Sequence, residues 1–148
     1  MRRLTLPILV SGALIDIQVG LSNARRSVYL RTGLAIPSPV HATFLIDTGA
    51  SKTLVDEALM RTLQLTPTSS TLFHSTSTKG VALECDEYDV QLILGGIANA
   101  NTLRLEPLSV MATALINQPF QGLLGRDVLN RMQLGWNGPA QSVTIDYV

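Results

Sequence analysis

Cysteine is almost missing from this chain. Cys85 stands alone among 148 residues, which excludes an internal disulfide and a thiolate cluster for a metal. It reads as a small apolar residue in a strand. Histidine is nearly as scarce: His41 and His74 lie far apart, and neither has metal-ligand spacing to a cysteine or an acid. No metal and no other cofactor is expected. Charged residues make up only 15%, with 11 basic and 11 acidic side chains and a formal net charge of zero. That balance gives no electrostatic argument for nucleic acid as a partner. No apolar run approaches the ~20 residues of a membrane helix, so no membrane insertion is expected. Met1-Arg2-Arg3 before "LTLPILVSGALI" has the outline of a signal peptide. Pro7 and Gly12 interrupt that run, however, and its alternation continues through "ALIDIQVGL". The stretch therefore reads as strands, and the expected location is cytoplasmic.

What the chain does have is apolar residues, 46% of the total, enough at this length to bury one core. A single domain over residues 1–148 is expected. Period-two alternation marks strands in "TLPILV", "ALIDIQVGL", "VHATFLID", "VALECDEYDVQLIL", "NTLRLEPLSVM" and "SVTIDYV". "RRSVYLRTGLAI" reads as a further β-rich stretch, closed by Pro37-Ser38-Pro39. "VDEALMRTLQL" has helical spacing in Val55, Leu59 and Leu63, with Asp56 and Glu57 suited to a first turn. Thr66 to Lys79 is rich in Ser and Thr and reads as a mobile connection. "GLLGRDVLNRM" pairs an apolar strand with a short helix, and Trp136 reads as a packed aromatic before a turn. The fold class is all-β, a barrel or sandwich-like core with one or two short helices.

"FLIDTGASKTLV", Phe44 to Val55, places Asp47 at the end of an apolar strand. An ionised carboxylate entering a core is costly unless it is paired or hydrogen-bonded. Later in the chain stands "FQGLLGRDVL", an apolar strand followed by Gly125 and a helix start. Together these two stretches resemble the retropepsin-type aspartic proteases, single-domain relatives of pepsin. The resemblance covers most of the chain. "ALIDIQVG" is similar to the family's early strand, "GVALECDEYDVQLIL" to the strand descending from its flap, and "SVTIDYV" to the strand that joins its dimer sheet.

That resemblance implies a retropepsin-like acid protease barrel that works as a two-fold symmetric homodimer on a peptide or protein substrate. It implies catalysis by Asp47, one per subunit, with Thr48 and Gly49 supporting the active-site loop. Two carboxyls about 3 Å apart cannot both ionise, so such a pair shares a proton, one acid activating water while the other polarises the carbonyl. Asp16 and Asp146 also follow apolar residues but lack the Thr-Gly that follows Asp47, and both read as solvent-facing acids on strands. The missing partner is therefore Asp47 of a second copy, as an isologous dimer requires. Substrate contacts are expected from Ala50, Ser51, Thr78, Lys79 and Gly80, the last three in a flap over about 73–83. Gly125, Arg126 and Asp127 are expected to support the loop. Two departures stand out. Residues of about 21–41 replace a short turn and suggest an added hairpin. The family pairs its late arginine with an acid at the place held here by Ser51, so Arg126 needs another partner, in Asp127 or in the other subunit. The alternative function is a catalytically silent domain of the same fold that dimerises or binds peptides.

Overall fold

The computed structural model of the protein describes residues 1–74, 80–95 and 102–148. Strand β1, Arg2–Leu9, turns at Gly12 into β2, Gly12–Leu21. The alternation of β2 aims Ala13, Ile15, Ile17, Val19 and Leu21 into the core. Helix α1, Asn23–Thr32, comes next, and here the expected hairpin over 21–41 is corrected. The Ser22 hydroxyl accepts from the Arg25 amide and Gly33 ends the helix in the left-handed region at φ 72°. Caps at both ends define this helix rather than an apolar stripe, since none of its residues is buried. The chain then runs without regular structure to β3, Val40–Ile46.

A loop leads from β3 to β4, Leu54–Asp56, and directly into α2, Glu57–Thr62. Asp56 caps α2 through the Ala58 amide; Met60 and the C-cap Leu63 are fully buried, Leu59 is half-buried, and Val55, expected on the helix, lies in β4. The Ser/Thr-rich connection contains a strand, β5, Ser69–Phe73. The Ser69 and Ser70 hydroxyls donate to Glu87 and Glu84 of the neighbouring strand, so a polar composition does not prevent pairing at a sheet edge. β6, Leu83–Leu94, and β7, Leu103–Thr113, are the longest of the described strands, at 12 and 11 residues. β8, Gly122–Leu124, enters α3, Arg126–Leu129, and β9, Gln133–Asn137, and β10, Ser142–Tyr147, close the chain.

Strands β6, β7, β4, β8, β3 and β2 are neighbours in that order, and β2 pairs back onto β6, which closes a barrel. Phe44, Ile17, Val19, Leu92 and Leu124 fill it. β5 flanks β6 on one side of the barrel, while β1, β10 and β9 form a three-stranded sheet on the other. In that sheet β10 lies between β1 and β9 of its own chain and is paired along both edges. The expectation that this strand joins a sheet shared between subunits concerns a second copy; within one chain both of its edges are paired. Asp146, expected to face solvent, is buried and accepts two hydrogen bonds of 2.7 Å from Arg3. Trp136, expected to pack, is 59% exposed on β9. Asp16 is exposed as expected and accepts from the Thr43 hydroxyl. Among the described residues no helix is long and apolar enough to cross a membrane.

Candidate active site

β8 runs parallel to β3 and antiparallel to β4, so it fills the gap from which the loop of residues 47–53 emerges. Phe44 opposes Gly122 in this register, and a Cβ on Gly122 would sit 2.3 Å from the Phe44 ring. Only glycine permits that approach. The parallel ladder extends one step past Ile46, where the Asp47 amide donates to the Leu124 carbonyl at 3.1 Å. Asp47 is thereby fixed at the rim of the barrel, half-buried.

The loop then folds around its own acid. The Gly49 amide donates to Asp47 Oδ1 at 2.9 Å, and the Ala50 amide to the Asp47 carbonyl at 3.2 Å. Arg126 opens α3 beneath the loop. Its Nη1 donates to the carbonyls of Thr48 (2.8 Å) and Gly49 (3.1 Å), and its amide to that of Ala50 (2.9 Å). This corrects the expected pairing of Arg126 with Asp127 or with another subunit: the cation holds loop carbonyls instead. With Ser51 in place of an acid, these oxygens are the acceptors within reach.

Asp127 serves a different residue. It accepts from the Thr53 amide (3.0 Å, Oδ2) and the Thr53 hydroxyl (2.7 Å, Oδ1). The same hydroxyl accepts from the Gly125 amide, and the Thr53 carbonyl accepts from Met111. Thr53 is fully buried, and sequence reasoning overlooked it. The one signal available was a threonine at the mouth of an apolar strand, which single residues cannot make specific. Gly125 adds the last constraint, since a Cβ there would lie 2.6 Å from the carbonyl carbon of Lys52.

Asp47 faces a cleft of about 680 Å³. The loop contributes Gly49, Ala50, Ser51 and Lys52 to its lining, and the strands contribute Leu54, Met111 and Leu123. Phe73, His74 and Leu83 come from the end of the β5–β6 hairpin, and Thr113, Ala114 and Leu115 follow from β7. Thus Ala50 and Ser51 are brought to the cleft with Asp47. Gly80 is exposed with φ at 79° and is not part of the lining. Thr78 and Lys79 lie outside the described residues. Asp47 is the one acid among the described residues that line the cleft. Thr48 is exposed, and the described residues offer its hydroxyl no partner.

An apolar cleft with a single carboxylate, held by backbone donors and closed on one side by a hairpin, suits an extended peptide. Residues 38–128 match the model of the aspartyl protease family. A search among curated proteins finds no match. Among solved structures, the chain is similar to a retropepsin-like aspartic protease from Rickettsia conorii. That match has a TM-score of 0.61 at 13% identity, covering 99% of this chain and 91% of the other. The family match takes in the loop, the cleft strands and the Gly125-Arg126-Asp127 element, and the fold agrees with it from end to end. The chain belongs to the aspartyl protease family, is a peptide-hydrolysing aspartic protease, and has a retropepsin-like fold.

Proposed function

We propose that this protein is an endopeptidase whose catalytic dyad is built from Asp47 of two identical subunits. One observation carries the reading: a cleft of this size presents a single acid, and the chemistry needs two. The other acids discussed are engaged elsewhere. Asp16 is held by Thr43, Asp127 by Thr53 and Asp146 by Arg3. A two-fold axis beside the loop brings the second Asp47 from an identical chain.

In the dyad, one Asp47 is ionised and takes a proton from water as it attacks the scissile carbonyl carbon. The partner's Asp47 is protonated and donates to the carbonyl oxygen. The tetrahedral diol then breaks its C–N bond as a proton passes to the leaving nitrogen. The Gly49 amide keeps Oδ1 of the ionised acid oriented, and Arg126 keeps the loop from yielding. The free, exposed Thr48 hydroxyl supports a role in bracing the two loops across the axis. Ala50 and Ser51 support substrate at the cleft floor, and the β5–β6 hairpin covers it from above. The cytoplasmic location belongs to the same proposal.

The test is a mixing experiment. Asp47→Asn, a near-isosteric change, is expected to lower turnover at least about a hundredfold without loss of fold. When it is mixed with unmodified protein and the subunits exchange, each hybrid dimer holds one competent acid. Activity should then follow the square of the unmodified fraction. A linear dependence, or turnover retained in Asp47→Asn, would overturn the shared dyad.

A further inference from the structure

Lys52 lines the cleft beside Asp47, yet its ammonium points away from the chemistry. Nζ meets Glu87 Oε1 on β6 at 2.5 Å. The second oxygen of Glu87 accepts from the Ser69 hydroxyl of β5 at 2.8 Å. The Glu87 carbonyl also accepts from the amide and hydroxyl of Thr68, just before β5. One carboxylate thus joins three segments: the active-site loop and both arms of the hairpin. Hydrogen bonds from Lys52 and Ser69 hold its carboxyl below the ordinary glutamate range, so the charge persists in mild acid.

The two ends of this connection differ in stiffness. On the loop side, the Lys52 backbone abuts Gly125 and the next residue is locked by Asp127. On the hairpin side, β5 is the outermost strand and is paired with β6 alone among the described strands. β5 also has few buried atoms, with Ser69, Ser70 and Leu72 exposed. Glu87 sits four residues from Leu83, where the hairpin reaches the cleft. At ~3.3 Å per residue that is a lever of roughly 13 Å. Exposed ion pairs contribute little. This one is largely shielded, with side chains 31% and 16% exposed, and it runs from a rigid base to a lightly held arm.

We propose that Lys52 is a positioning residue: with Glu87 and Ser69 it forms a strut that sets the β5–β6 hairpin over the cleft. It rests on the catalytic reading of Asp47 only in that the enclosed cleft is the site of hydrolysis. The strut acts on substrate enclosure, not on the reacting atoms.

The test compares Lys52→Met, Glu87→Gln and Lys52→Arg in the full chain. Kinetics are measured on a peptide that the unmodified protein cleaves, with amide hydrogen exchange of residues 69–73 and the thermal midpoint alongside. Losing the strut should raise KM about fivefold while kcat changes less than about twofold, the pattern of weakened binding rather than weakened chemistry. Exchange across β5 should quicken by a similar factor, because local opening sets that rate. Lys52→Arg keeps a cationic donor and should restore both. Unchanged exchange in Lys52→Met and Glu87→Gln would overturn the proposal. A raised KM with unchanged exchange would overturn it too, making Lys52 a direct substrate contact. So would Lys52→Arg behaving like Lys52→Met. If Lys52→Met fails to fold, the near-isosteric Glu87→Gln carries the same comparison. The exchange measurement reads the strut whatever Asp47→Asn shows, so the two proposals fail separately.

Discussion

Thr53 has no atom in solvent, and its hydroxyl donates to Asp127 while accepting from the Gly125 amide. Thr53→Val keeps the shape and removes the hydroxyl, leaving the buried Gly125 amide without that acceptor and Asp127 Oδ1 with the Val128 amide but one donor fewer. We expect a loss of about 1–3 kcal/mol in urea unfolding. Thr53→Ser should recover most of it. Turnover should drop with stability in Thr53→Val, because the bonds lost tie the end of the catalytic loop to the start of α3. If Thr53→Val unfolds at the original urea midpoint, this bonding is dispensable. What sequence alone made legible was local placement: Asp47-Thr48-Gly49 within one loop, Gly125-Arg126-Asp127 at one helix start. Thr53 and Lys52 escaped because each acquires its role from a partner far along the chain, 74 residues away for Asp127 and 35 for Glu87. Arg126 was placed correctly but given the wrong acceptor, since nothing in the sequence shows which carbonyls a loop turns toward a cation.

Among the elements, the pairing of β1 with β10 carries a titratable fastening. Arg3 and Asp146 are register partners, and hydrogen bonds from Arg3 hold the Asp146 carboxyl below the ordinary aspartate range. A depressed folded-state value adds stability above the ordinary value of about 3.9, and that stability is lost as pH falls through the lower, folded value. Unfolding measured across that acid range should show the stability of the unmodified protein converging on that of Asp146→Asn. A difference that stays constant with pH would exclude the pair as its source. Because Arg3 is 65% exposed, added salt should shrink the difference as well. Elements with a buried face were readable from their periodicity, as in β2, β6, β10 and α2. Elements without one were not. α1 buries nothing and is defined by its caps, β5 is a hydroxyl-rich edge, and β9 exposes Gly135 and Trp136. Periodicity records what a core demands, so an element that owes little to the core leaves little trace in the pattern.

For the whole molecule, the completed β9-β10-β1 sheet means that each subunit closes its own fold. The proposed dimer should therefore come apart without unfolding. Dilution is expected to lower specific activity by mass action while circular dichroism and the thermal midpoint hold steady. Loss of secondary structure in step with activity would show instead that the subunits complete one another. The same sheet has a consequence for the chain as a continuous thread. Arg2 lies opposite Tyr147, and the Arg3–Asp146 contact spans 143 residues, so residues 1–148 trace very nearly a ring. A short Gly-Ser bridge from residue 148 to residue 1 would close that ring, and a new opening in the exposed stretch after Gly33 would give a circular permutant. Its most distant pairing would become a hairpin, exchanging a long loop closure for a short one. Such a permutant should keep the barrel and the cleft intact, with its ends now on the side of the molecule where α1 stands.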